Sequence, residues 1–439
     1  MAFPPMHFDT HDLPLSTASA QAAEHYRNAV RLILAAWPGG DAELDLAIAT
    51  DPDFALAHAA RARVHALSAQ PRQAHERVAA ARSLAARNGS EREQSHIEVL
   101  HLAFSGRSTE ALSAALAHAE RWPRDVLVLS MPLGAFGLFA FSGMADHDQA
   151  RVDLCARHAD HFAADDWWFL TSQGWALAEN GEVARGRAMI ERAFELHRAN
   201  ANTVHALAHA MFEGGAGEDA EALITGWLPS YDRAGVLHGH LAWHAALVAL
   251  ERGDAATALG IYETEVRPGV SRGLPINIVS DGASFLWRLD LYGHGAPQAG
   301  WEQIASYARE AYPRPGHAFV DTHLALIEAA TDSRKALDRR IAALESGQGG
   351  VALAAVVPAI GRAARAFADA DYDACVRTLE PVADAVVRIG GSGAQREVIE
   401  DTLLVALIRA GQTAKAQDLL ERRLHRRPSP RDAAWLAAL

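Results

Sequence analysis

Two pairs of histidines, His205/His209 and His240/His244, stand four residues apart in a chain of 439 residues that carries 22 histidines. On a helix, residues four apart share a face, so each pair projects two imidazoles in one direction. Corresponding members of the pairs lie 35 residues apart, 205 to 240 and 209 to 244. That interval is essentially one period of a helical-hairpin repeat of about 34 residues. Equivalent positions on successive helices of such an array sit side by side, so the four rings are expected to converge. Imidazole suits divalent transition metals, zinc first, and His205, His209, His240 and His244 are the candidate metal ligands. An open coordination position would activate water. The spacing is not His-Glu-x-x-His, and neither Cys155 nor Cys375 is placed to join the set. Without a metal, one of the same rings could act as a general acid or base.

Four more residues extend the constellation. Arg288 and His323 are again 35 apart (288 to 323), and Asp321 stands two before His323. The planar fork of Arg288 suits a carboxylate, so a carboxylate-bearing small molecule is the expected ligand. Asp281 and Asp321 could orient an imidazole, and Asp321 could also hold an ammonium group or a cation. Trp243 and Trp287, with Trp167, Trp168 and Trp301, could wall a pocket, although helical aromatics also serve as core. In the run Ile389–Arg396, consecutive glycines allow backbone to approach an anion, with Gln395 and Arg396 in reach. The plainer reading of that run is a turn whose Ser392 caps the next helix. His58, His65, His96, His101, His118, His158 and His161 read as polar core positions, as the four clustered histidines also could, and His238 as a helix start.

These residues need helices to position them. Half of the chain is apolar and only 7% aromatic, and alanine recurs in almost every block, which favours close helix packing. The segment from Trp167 to Asn200 turns at Asn180-Gly181 and continues through Ala184, Ala188 and Ala193, the pattern of one helix-turn-helix unit. Gly214-Gly215, Gly253 and Gly411 mark further turns, and Asp51-Pro52 opens another helix. No convincing period-two alternation predicts a sheet. The expected fold is an all-α, tetratricopeptide-like solenoid of helical hairpins, strongly curved, running as one array over 17–439 after an irregular segment over 1–16.

The formal net charge of −13 argues against nucleic acid or anionic lipid as a partner. The one basic cluster, Arg422, Arg423, Arg426 and Arg427, sits near a helix end, where positive charge suits the helix dipole. Val126 to Ala145 lacks charged side chains, but Pro132, Gly134, Gly137 and Gly143 interrupt it, so a buried helix is expected rather than a membrane span. The N-terminus shows no basic segment followed by an apolar one, and the two cysteines read as free thiols, so a cytoplasmic location is expected.

Several strings together resemble the tetratricopeptide repeat protein 38 family. They are Asp51-Pro52 with Phe54, Ser90-Glu91-Arg92-Glu93 leading to His96, His205/His209, and His240/His244 around Trp243. Asp281 with Ser284, Trp287, Arg288 and Leu289 follows, then Phe319 with Asp321 and His323, and Gly390-Gly391-Ser392 with Ala394-Gln395-Arg396. The resemblance implies a closed or strongly curved repeat array and delivers no defined activity. Glu397 stands where the family would place an aspartate, and Phe212 where relatives carry an acid, with Glu213 one place later. The expected function is an internal His/Asp/Arg-lined small-molecule site, with metal-assisted hydrolysis as its chemistry. The alternative is a non-catalytic scaffold that takes a peptide, a protein partner or a second copy on its concave face.

Overall fold

The computed structural model describes residues 6–347 and 350–439. Residues 1–5 of the expected irregular segment lie outside the described residues. Within the remainder of that segment, β1 (His7–Phe8) pairs antiparallel with β2 (Pro14–Leu15), a two-residue ladder that sequence alternation is too short to signal. Every other regular element among the described residues is helical, as expected.

In chain order the α-helices are α1 (Ala20–Leu34), α2 (Gly40–Thr50), α3 (Ala55–Leu67), α4 (Pro71–Asn88), α5 (Glu91–Phe104), α6 (Ser108–Arg121), α7 (Val126–Leu133), α8 (His147–His158), α9 (Trp167–Glu179), α10 (Val183–Leu196), α11 (Ala201–Glu213) and α12 (Gly217–Trp227). They continue with α13 (His238–Glu251), α14 (Ala255–Ile261), α15 (Pro275–Leu291), α16 (Gln298–Ala311), α17 (Ala318–Ala330), α18 (Arg334–Ser346), α19 (Val357–Ala368), α20 (Tyr372–Leu379), α21 (Gly393–Arg409), α22 (Thr413–Arg426) and α23 (Pro430–Ala438).

The chain forms two compact units. The first runs to Ser142 and takes in His147–Asn180 and Ala188–Thr203, whereas the second holds Gly143–Asp146, Gly181–Arg187 and Val204–Leu439.

Consecutive helices pack as hairpins, and a left-handed residue makes the tight turn of several of them. Gly181, Gly215, Gly253 and Gly411 adopt φ of 93°, 77°, 87° and 69°, as their positions in the sequence imply. Asp332 and Ala370 make the equivalent turns of α17–α18 and α19–α20 at φ 50° and 59°, without the glycine that marks the others.

In the first unit the apolar residues of α3, α4 and α5 form a core around Ala59, Val78, Ala81, Ile97 and Leu100. A buried carboxylate beside it gathers polar side chains. Asp125 accepts from Arg92 Nη1 at 2.6 Å and His96 Nδ1 at 3.1 Å, with His118 Nε2 at 3.3 Å. Burial alone would raise its pKa, but the imidazoles and the guanidinium hold the carboxyl well below its usual range. His96 and His118 therefore have the structural role expected of them. Val126–Ala145 is not one helix, because α7 carries Pro132 and ends at Leu133, just before Gly134. Among the described residues no helix is long and apolar enough to cross a membrane.

In the second unit α13, α15, α17 and α21 are the buried members. Every residue of α13 from His238 to Leu250 is buried, as is nearly all of α15, which packs against α13, α17 and α21. A helix enclosed on all sides must bury its polar side chains too, and those need partners. The polar residues on these helices are therefore where chemistry can reside.

Candidate metal centre

The four histidines of the two spaced pairs meet. Each of His205, His209, His240 and His244 offers one ring nitrogen, and the four nitrogens lie within 4.8 Å of one another. His205 and His209 come from α11, and His240 and His244 from α13. Ring centroids are 4.6 Å apart for His205–His209, 4.8 Å for His205–His240 and 4.4 Å for His209–His244. Three of the rings are buried, and His205 keeps partial contact with solvent.

The orientation of His240 is fixed from behind. Its Nδ1 is 2.8 Å from Asp281 Oδ2 on α15, and Asp281 Oδ1 accepts from Ser280 Oγ at 3.2 Å. The carboxylate accepts, so His240 donates from Nδ1, and in the neutral ring its Nε2 carries the lone pair. That Nε2 faces His205 Nε2 at 3.0 Å. Two lone pairs at this distance repel unless a proton or a cation lies between them. Trp243 closes one side, its ring stacked on His240 at 5.3 Å and 14° and standing edge-on to His244 at 4.8 Å.

A tetrahedral zinc site with bonds of about 2.0–2.1 Å would place its nitrogens roughly 3.4 Å apart. The present span, 3.0 Å for one pair and 4.8 Å at most, brackets that value. Burial, reinforced by the neighbouring imidazoles, holds His205 and His244 well below the ordinary histidine pKa. Both are therefore neutral at physiological pH, the form that binds a metal. The carboxylate behind His240 completes the arrangement by which proteins orient a metal-binding imidazole.

The cavity that touches this cluster is small. Ala208, Phe212, Ala220, Ile224, His244, Leu247 and Val248 enclose about 10 Å³, room for a single water. The four donors themselves fill the space between α11 and α13.

The other expected site residues divide. Arg288 is 2% exposed. It donates from Nε to Asp401 Oδ2 at 3.1 Å and from Nη2 to the Ala394 carbonyl at 2.9 Å, so much of its fork is already engaged. Asp321 does not orient His323. It accepts from the Gly316 and His317 N–H groups, both at 2.7 Å, and pairs with Arg340, while His323 Nδ1 donates to the Phe319 carbonyl at 2.8 Å. Trp287 is core rather than pocket wall, with Nε1 donating to Thr402 Oγ1 at 2.9 Å and its ring set between Trp301 and Phe367. Ser392 and Gln395 form a reciprocal cap at the start of α21, and Arg396 donates to the Gly391 carbonyl. The two free cysteines are buried, and burial pushes both thiols up to about 12.

Asp401, which the sequence does not single out, and Arg423, which it reads only as a helix-end charge, hold Arg288 in place from α21 and α22. Their signal is absent because the pairing spans 113 residues and follows no helical spacing. Arg423 sits among carboxylates rather than at a solvated helix end, and Arg427 pairs with Glu251 and Glu397. Glu397 is thus consumed by arginines, and Phe212 lies under the Arg427 guanidinium at 4.0 Å.

His323 provides a test of this burial. Burial, opposed by the Phe319 carbonyl and aided by Arg288, lowers its pKa from 6.5 to about 4. The unfolded chain therefore takes up a proton that the folded chain refuses, and stability is complete above about pH 6.5 and declines as pH falls towards 4. The loss across that window is on the order of 3 kcal/mol, and His205 and His244 add to it in the same direction. Urea midpoints at pH 7 and pH 5 should differ less in His323→Gln than in the parent; an equal difference would mean that the ring is protonated when folded.

No protein-family model matches the chain. Among solved structures, a monomeric mutant of IFIT1 with Gppp-AAAA is similar at 14% identity and a TM-score of 0.33, covering 84% of this chain and 69% of that one. The Naa15/Naa10 complex bound to HypK-THB matches at 13% identity and a TM-score of 0.25, with 93% of this chain and 64% of that one covered. The TPR domain of P58(IPK) matches at 14% and 0.20, over 90% and 99%. At such scores the likeness carries no argument; the chain's own helices make it an all-α helical-hairpin protein.

Proposed function

We propose that this protein holds a divalent transition-metal ion, zinc first, in a buried four-histidine centre between α11 and α13. The observation that carries the reading is the convergence of four imidazole nitrogens within 4.8 Å, one of them on a ring oriented by a buried carboxylate. Coincidence at one repeat period explains the shared face of each pair but not the carboxylate. Four neutral ligands and one aspartate leave a bound M²⁺ with a single net positive charge, a modest load for a buried site.

Four protein nitrogens complete a tetrahedron, which is the arrangement of a metal held for structure or storage. Metal-assisted hydrolysis would need a fifth position open to water, and the geometry supports it less. The resemblance to the tetratricopeptide repeat protein 38 family fits either use. A scaffold reading draws on a different feature, an open groove of about 550 Å³ in the first unit lined by Asp45, Arg61, His65, Glu76 and Arg77. Its mixed charges would suit a polar peptide.

Elemental analysis of untagged, dialysed protein tests the main reading. A single equivalent of metal, removable by chelator and restored by Zn(II), is expected. Metal-free protein that takes up no Zn(II), Cu(II), Ni(II) or Fe(II) in titration would refute it and leave the groove as the better guide.

A further inference from the structure

Three buried polar atoms of the second unit have no hydrogen-bond partner among the described residues: Arg288 Nη1, His323 Nε2 and Gln395 Nε2. Their residues are 2%, 1% and 2% exposed. Natural proteins seldom leave such atoms unmet, so each one asks what satisfies it.

The three residues come from α15, α17 and α21, of which α15 packs against both of the others. Arg288 Nη2 bonds the Ala394 carbonyl, next in sequence to Gln395. A side chain on Gly391 would lie 2.4 Å from the Phe319 ring and 3.0 Å from Gln395 Oε1, which shows how tightly the start of α21 meets α17. The Phe319 ring is in turn 4.6 Å from His323. The Arg288 charge helps to lower the pKa of both His323 and His244.

Each atom has a defined polarity. Gln395 Oε1 accepts from the Ser392 N–H at 3.1 Å, which fixes Nε2 as the outward, donating end. Arg288 Nη1 can only donate. His323 gives its Nδ1 proton to the Phe319 carbonyl, so its Nε2 accepts. The complementary guest therefore offers anionic oxygen to Arg288 and Gln395 and one O–H to His323.

We propose that Arg288, Gln395 and His323 form a subsite for a small oxyanion that also carries a hydroxyl group, such as hydrogen phosphate or a 2-hydroxycarboxylate. It stands apart from the metal reading. Charge-assisted bonds from a guanidinium supply the affinity, and the acceptor at His323 selects the protonated or hydroxylated member of the class.

Calorimetric titration of the full chain with orthophosphate, glycolate and formate tests this, in metal-free and zinc-loaded forms. Orthophosphate or glycolate should bind saturably, with formate, which has no hydroxyl, at least about tenfold weaker, because the buried acceptor at His323 is then left unmet. Orthophosphate alone would mark a phosphate site, glycolate alone a hydroxyacid site. In Gln395→Glu the capping bond is retained while the donor becomes an acceptor, so binding should fall by a similar factor or more. Gln395→Met, which removes the amide, serves if that variant does not fold. The proposal is overturned if neither probe binds, in which case water meets the three atoms, if formate binds equally well, or if both Gln395 variants bind like the parent. A parent protein that binds metal but neither anion sinks the subsite alone, and one that binds an anion but no metal sinks only the metal reading.

Discussion

Replacing Arg423 by methionine is expected to destabilise the protein by at least about 3–5 kcal/mol, because it strips the cation from a buried group of carboxylates. The Arg423 guanidinium, 2% exposed, donates to Asp432 at 2.7 Å, Glu400 at 2.9 Å, Asp401 at 2.9 Å and Glu397 at 3.0 Å. Asp401 and Asp432 are themselves 0% and 1% exposed, so neither can turn to water once the arginine is gone. Arg431 alone would remain near both. Because Asp401 also holds Arg288, the damage should spread to α15. Urea denaturation against Arg422→Met provides the measure. Arg422 is exposed and pairs with the equally exposed Asp418 one turn away, so its loss should stay within about 0.5 kcal/mol. If Arg423 acted only on the helix dipole, as its place near the end of α22 suggests, the change would be about 1 kcal/mol or less.

That contrast shows where sequence reading reaches and where it stops. The helix dipole is a local property, and Arg422 and Arg423 look alike to it. What separates them is which face of α22 turns inward and what waits there, and Glu397 and Asp401 belong to a different helix.

The histidine pairs are legible for the opposite reason. Both lie at i, i+4 and one repeat apart, so helical geometry and repeat stacking alone bring them together. Asp281 is partly legible, since its type suits the task, but its partner His240 stands 41 residues away with no spacing rule. Asp321 has the right type and a suggestive position, yet its carboxylate is spent on the loop before α17 and on Arg340, contacts no pattern announces. The turns behave alike: Gly181 and Gly253 declare themselves, whereas Ala370 takes a left-handed φ of 59° only because the hairpin around it leaves no other path.

The second large effect concerns the metal centre and is graded. His205→Ala/His244→Ala removes one donor from each helix and should abolish stoichiometric metal, together with the metal-induced rise in thermal midpoint. That rise is about 4 kcal/mol of stabilisation where free metal exceeds Kd by about 1,000-fold. Asp281→Asn should keep the metal but weaken it about 10–100-fold, as loss of a carboxylate behind a ligating imidazole does. The neutral amide pulls less on the Nδ1 proton, so the ring becomes a poorer donor. If the amide instead turns its NH2 towards His240, it favours the opposite tautomer and puts a proton on the nitrogen that should face the metal. Equilibrium dialysis against zinc with a competing chelator separates the variants. Equal affinity in Asp281→Asn and the parent would mean that His240 is not a ligand and that any ion sits elsewhere. The order parent, Asp281→Asn, double alanine variant is what a centre oriented from behind by a carboxylate requires.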